Sequence, residues 1–119
     1  MKLPNIFESM TEPLTLTAGE VIFSTGDAGD SMYVVKSGEV ELQVNGRTVE
    51  TVGEEGFFGE MALIEQDPRT ATAIAKTDCV LMPINAKRFE FLTQEIPFFA
   101  VYVMKGLSRR LRAFDQSQA

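Results

Sequence analysis

Glu60 and Arg69 stand nine positions apart, separated by an apolar run and an Asp-Pro turn, and this stretch is the one most able to do chemistry. It reads Phe57-Phe58-Gly59-Glu60-Met61-Ala62-Leu63-Ile64, then Asp67-Pro68-Arg69-Thr70-Ala71-Thr72-Ala73. Good helix formers follow Gly59, so residues 60–64 predict one helical turn whose first N–H groups lack intrahelical partners. Such N–H groups suit an anion, and Gly59 lets a ligand approach the backbone closely. Asp67-Pro68 turns the chain, and Arg69 is expected to start a strand. Its planar fork can meet two oxygens of one oxyanion and keeps its charge when desolvated. Glu60 offers an acceptor for a hydroxyl. A carboxylate beside a bare anion repels it, so Arg69 must lie between the two or pair with both. On spacing alone, a structural ion pair between Glu60 and Arg69 accounts for these residues equally well.

Other chemistries are poorly supplied. The 119 residues include no histidine and one cysteine, Cys79. The commonest general base and metal ligand is therefore missing, as are thiolate zinc clusters. No nucleophile–base pair and no carboxylate set at metal-like spacing is visible, so neither an enzyme nor a metal protein is expected. Cys79 reads as a small packed residue; without a second cysteine it forms no internal disulfide, which fits a reducing compartment. The net charge of −6 argues against direct nucleic-acid binding, which needs a basic footprint. No apolar run reaches the roughly 18 residues of a membrane span, and the Met1-Lys2-Leu3-Pro4 start lacks a signal peptide's apolar stretch. A cytoplasmic location is expected.

The elements that must position Glu60 and Arg69 are mostly short strands. A helix over 3–10 would place Leu3, Ile6, Phe7 and Met10 on one face before Pro13 breaks it. From there to about residue 84, short strands alternate with glycine turns. The clearest is a hairpin around Asn45-Gly46, a pair that tolerates the positive φ of a type I′ turn. Val40, Leu42 and Val44 alternate with Glu39, Glu41 and Gln43, and the register sets Val44 opposite Arg47, Leu42 opposite Val49 and Val40 opposite Thr51. Residues 71–75 and 79–84 predict two further strands. Then the period changes. Asn85 is a candidate N-cap, and Pro97 interrupts before a helix over 98–114. On that helix Ala100, Met104, Leu107, Leu111 and Phe114 draw one apolar seam, and Phe99, Val103 and Gly106 mark a second face. Either one face lies on the strands while the other meets a partner helix, or both merge into one wide core-facing stripe.

The segment from Phe58 to Leu63 together with Pro68 to Ala73 resembles the phosphate-binding cassette of cyclic-nucleotide-binding domains, found in the bacterial catabolite activator protein and in cyclic-nucleotide-dependent kinases and gated channels. A second block, Gly26-Asp27-Ala28-Gly29-Asp30-Ser31-Met32-Tyr33-Val34-Val35-Lys36-Ser37-Gly38-Glu39-Val40, resembles the family's glycine-punctuated strand pair. The resemblance implies a mainly β fold with flanking helices. Its body would be a double-stranded β-helix, or β-roll, of about eight strands, with an N-terminal helix, a short phosphate-binding helix and two C-terminal helices. Residues 1–119 would form one domain, with 3–97 the roll and its flanking helices and 98–115 a lid or dimerisation helix.

By family role, Arg69 would bind the cyclic phosphate and Glu60 the ribose hydroxyl. The backbone around Gly59, Met61 and Ala62 would donate to ligand oxygens, Thr70 would add a polar contact, and Phe58 and Ala71 would complete the site. The ligand would be cAMP or cGMP. Thr70 after the arginine resembles the cGMP-dependent kinases and several channels, but threonine-bearing members also bind cAMP, to which the reading leans. Met104, Leu107 and Leu111 would touch the purine, and Arg109, Arg110 or Arg112 could stack on it; a solvated helix end accounts for these arginines as well. The expected protein is a sensor without its own DNA-binding, kinase or channel segment, whether standing alone or as part of a longer chain, with a possible homodimer through 98–114 and an unknown effector. The alternative is a β-roll interaction module that binds no nucleotide.

Overall fold

The computed structural model describes residues 12–118; the helix expected over 3–10 lies outside them. Eight strands form two four-stranded antiparallel sheets. In spatial order the first holds β1 (Leu14–Leu16), β8 (Cys79–Asn85), β3 (Ser31–Ser37) and β6 (Phe57–Phe58). The second holds β2 (Val21–Phe23), β7 (Thr72–Ala75), β4 (Val40–Val44) and β5 (Arg47–Val52). The helices are α1 (Met61–Ile64), α2 (Ala86–Glu95) and α3 (Pro97–Gln118). This is the expected β-roll.

The first sheet is buried on both faces, and that is why β3 and β8 carry nearly unbroken apolar runs. Val35, Phe58, Cys79 and Leu81 face the second sheet and pack with Val40, Val52, Ala73 and Ala75. Met32, Val34, Phe57, Met82 and Ile84 face the other way, against Leu92, Phe99, Tyr102 and Val103 of α2 and α3. Adjacent residues such as Phe57 and Phe58 thus serve opposite cores, as the two-residue period of a strand requires.

The Asn45-Gly46 turn forms with positive φ at both positions, and Val44 does pair with Arg47. Beyond it the expected register fails. A bulge between Leu42 and Gln43 leaves Val49 over, so Leu42 pairs with Glu50 and Val40 with Val52 rather than with Val49 and Thr51. One residue of slip exchanges the faces of a strand. Here it buries Val52 against Val40, leaves Val49 61% exposed, and turns Glu50 toward Arg110.

Two other boundaries move. β7 begins at Thr72, so Arg69 is not the first residue of a strand. Arg69 sits three residues earlier, where its N–H donates to the Asp27 carbonyl and its own carbonyl accepts from Gly26 N–H, both at 2.8 Å. Asn85 caps α2 as expected, its Oδ1 accepting from Arg88 N–H at 2.9 Å. Pro97 is the first residue of α3 rather than a break before it; at that position a proline has no helical N–H to lose.

The last helix has two apolar faces. Phe99, Tyr102 and Val103 lie in the core, while Met104, Leu111 and Phe114 are about 60% exposed. The single wide stripe is excluded. Gly106 allows the close contact: a Cβ there would stand 2.4 Å from the Phe57 ring. The buried Tyr102 hydroxyl, whose pKa burial pushes far above the ordinary phenol value, donates to the Glu55 carbonyl and fixes the same helix to the β5–β6 turn.

Candidate anion-binding site

Gly59 has φ +81°, the left-handed region that glycine enters without strain, and it delivers the chain from β6 into α1. The carbonyl of Glu60 accepts from both Leu63 and Ile64 N–H at 3.0 Å, so the helical turn starts where the residue types require it. Glu60 and Arg69 are both buried, at 4% and 7% relative exposure. Charged residues this buried are normally paired.

Glu60 and Arg69 do not pair with each other. Glu60 pairs with Arg110 of α3, whose Nη1 donates to its Oε1 at 2.8 Å while Nη2 donates to the Phe57 carbonyl at 2.8 Å. Nε of Arg110 also stands 2.8 Å from Glu50 Oε1, a second ion pair. Burial works against the Arg110 charge, yet the carboxylates of Glu60 and Glu50 outweigh it and hold its pKa above the ordinary value. One arginine thereby ties α3, the β4–β5 hairpin and the start of α1 together.

Arg69 is held differently. Its Nη1 donates to the Gly59 carbonyl at 2.9 Å and its Nη2 to the Ser31 carbonyl at 2.6 Å. Its Cζ lies over the Phe23 ring, 4.0 Å from the centroid. Among the described residues no carboxylate pairs with it, and its buried Nε has no hydrogen-bond partner. Gly29 makes this position possible, since a Cβ there would fall 2.6 Å from Arg69 Nε and 2.6 Å from Ala62 Cβ. A buried guanidinium that finds only neutral carbonyls among the described residues carries an unbalanced charge in low dielectric, a costly arrangement unless an anion completes it.

A cavity of about 220 Å³ lies between these residues. Gly59, Glu60, Met61 and Ala62 line one side, and Arg69, Thr70 and Ala71 another. Phe58, expected in the site, does not line it; its ring is fully buried in the inter-sheet core. A larger groove of about 830 Å³ adjoins the cavity, sharing Val49, Glu50 and Arg110 as walls. Of the residues expected near a purine, Met104, Leu107 and Leu111 line neither space, and of the three candidate arginines only Arg110 lines both. Tyr102, Gly106, Ala113 and Phe114 form the helical wall of the groove instead. Participants not singled out from sequence include Phe23, Glu50, Gly29 and Ser31. Of these, Gly29 and Ser31 had a signal there, as part of the second glycine-rich block. Among the described residues no group of three or more Cys, Asp or Glu side chains converges as a metal site.

Residues 13–95 match the family model of the cyclic nucleotide-binding domain, and the chain belongs to that family. Its members are typically regulatory rather than catalytic. The fold superposes on the Thermus thermophilus catabolite activator protein with a TM-score of 0.82 and 31% identity, covering 96% of this chain and 56% of that one. This chain thus spans little more than half the length of the Thermus protein. The N-terminal domain of a Streptomyces coelicolor A3(2) transcriptional regulator gives a TM-score of 0.67 at 29% identity, covering 97% and 86% of the two chains. A structure from work on a cyclic-GMP-dependent signalling pathway that regulates bacterial phytopathogenesis gives 0.77 at 25% identity, covering 89% of each. No helix among the described residues is long and apolar enough to cross a membrane.

Proposed function

We propose that this domain is a cytoplasmic sensor of cAMP or cGMP in which Arg69 binds the cyclic phosphate and Glu60 the ribose 2′-hydroxyl. The observation that carries the reading is the buried Arg69 guanidinium, which no carboxylate among the described residues balances. A cyclic phosphate is a monoanion with two exocyclic oxygens. Of the five N–H donors of a guanidinium, the carbonyls of Gly59 and Ser31 occupy one on each Nη. The remainder can serve the phosphate. Glu60 presents one oxygen to Arg110, leaving the other as an acceptor for the sugar. The small cavity suits the phosphate and sugar, and the adjoining groove gives the base room beneath α3. Backbone N–H groups of Gly59, Met61 and Ala62 add neutral donors, and Thr70 and Ala71 close the opposite wall. A ligand that favours the docked position of α3 shifts the population toward it, and the outward seam of that helix passes the signal to a second copy or an effector.

Calorimetry with cAMP and cGMP tests the reading. Wild type should bind at least one of them. Arg69→Ala should weaken binding by about a hundredfold or more, the scale of losing a buried charged hydrogen-bond partner. Absence of heat with both nucleotides on the wild type rejects the reading.

A second reading, an interaction module with an unused cavity, draws on the exposed apolar residues of α3. It requires an unchanged melting temperature across a nucleotide screen. A clear upward shift counts against it.

A further inference from the structure

Phe23 sits on a short edge strand, far in sequence from the cassette, yet it provides the surface on which the Arg69 guanidinium rests. β2 is irregular: its register on β7 shifts between Val21 and Phe23. Val21 and Phe23 would share a face in a regular strand, but Val21 is 53% exposed while Phe23 packs inward, opposite the small side chain of Ala73. The ring is held there by Tyr33 and Phe58, with centroids at 6.1 and 5.9 Å, and those two stack on each other at 5.4 Å. Arg69 Cζ lies over it at 4.0 Å.

We infer that Phe23 is a positioning residue for the anion site: its ring fixes the plane of the Arg69 guanidinium, so that the edge donors are aligned before the ligand arrives. This rests on the proposed role of Arg69. A ring on the face of a guanidinium and oxygens at its edge do not compete, because stacking uses the π surface and hydrogen bonds lie in the plane. The carbonyls of Gly59 and Ser31 are backbone atoms, and the Tyr33 ring lies farther off, 6.0 Å from Cζ against 4.0 Å for Phe23. Phe23 is therefore the nearest restraint that a side-chain substitution removes. Without it the arginine must be ordered when the ligand binds, and that ordering subtracts from affinity.

The experiment compares wild type, Phe23→Tyr and Phe23→Leu by calorimetry with cAMP and cGMP, by melting, and by NMR of the Arg69 Nε–H group, assigned through its loss in Arg69→Lys. Phe23→Leu should weaken binding about threefold to thirtyfold, the range of a partly desolvated cation–π contact, with a cooperative melt retained. Phe23→Tyr keeps the ring and should bind within about twofold of wild type. The Nε proton should show a ring-current shift in wild type and Phe23→Tyr that falls sharply in Phe23→Leu, where only the more distant Tyr33 ring remains. A binding wild type with an equally tight Phe23→Leu overturns the inference, and so does a Phe23→Tyr variant that loses as much as Phe23→Leu. If Phe23→Leu does not fold, an unshifted Nε proton in the wild type overturns it. A wild type that binds neither nucleotide rejects the sensor reading instead, and the NMR comparison still decides whether the ring holds the arginine.

Discussion

Arg69 and Glu60 could be picked out as a pair from their types and spacing, but their partners could not. The ion pair that spacing suggested between them does not form. Glu60 turns to Arg110, fifty residues away, and Arg69 faces carbonyls and a ring. Arg110 was one of three arginines on the last helix, and nothing in their order distinguished it; only the docking of α3 on the roll does so. The pairing makes a prediction that a pair of independent surface charges would not. Truncating Arg110 leaves a carboxylate that is 5% exposed without its strongest donor, whereas the Arg110 side chain is 30% exposed. The cost therefore falls below that of breaking a fully buried pair. Arg110→Met should lower stability by about 1–2 kcal/mol. Glu60→Gln combined with Arg110→Met should cost less than the sum of the singles, with a coupling of about 1 kcal/mol in a double-mutant cycle. Chemical denaturation of the four proteins measures this, and strict additivity would show that the contact contributes nothing.

At the scale of elements, the type of most segments was readable and their relative placement was not. The Asn45-Gly46 turn, the strands around 72 and 79, the Asn85 cap and the last helix follow from turn chemistry, alternation and period. The bulge at Val49 does not. It arises because Val52, not Thr51, belongs in the core opposite Val40, a tertiary preference that local alternation cannot register. Gly106 is a similar case: mid-helix glycine looks like a weak point, since alanine is the better helix former by about 1 kcal/mol. The docked helix reverses that preference, because the Phe57 ring occupies the space of a side chain. Gly106→Ala is therefore expected to destabilise the domain by about 1–3 kcal/mol through overpacking, while Ser108→Ala on the exposed face should be neutral or slightly stabilising. Denaturation midpoints of the two variants compare these effects directly. A Gly106→Ala protein more stable than wild type would mean that α3 does not lie this close to the roll.

Over the whole molecule, the resemblance supplied the two-sheet roll, and the physics of burial explains what lies on each side of it. One sheet is covered on both faces and needs α2 and α3; the other is covered on one. That arrangement uses Phe99, Tyr102 and Val103 of α3 and leaves Met104 and Leu111 outward, each about 60% exposed, with Phe114 at the wall of the groove. These three belong to the seam of alternating four- and three-residue steps, the pattern that pairs one helix with another. Met104 and Leu111, seven residues apart on one stripe, offer an apolar surface to a partner helix. A second copy of the same helix about a twofold axis offers a matching stripe. In such a pair Leu111, near the middle of the exposed seam, would face apolar neighbours from both copies. Leu111→Glu would bury one carboxylate from each chain in that contact, whereas on a monomer it would replace an exposed leucine with an exposed carboxylate at little cost. Light scattering at tens of micromolar protein, with and without nucleotide, should therefore report a dimer for wild type and a monomer for Leu111→Glu, with the melting of the roll and the affinity of the Arg69 site nearly unchanged. A wild type that stays monomeric under both conditions would leave the seam to an effector of a different kind.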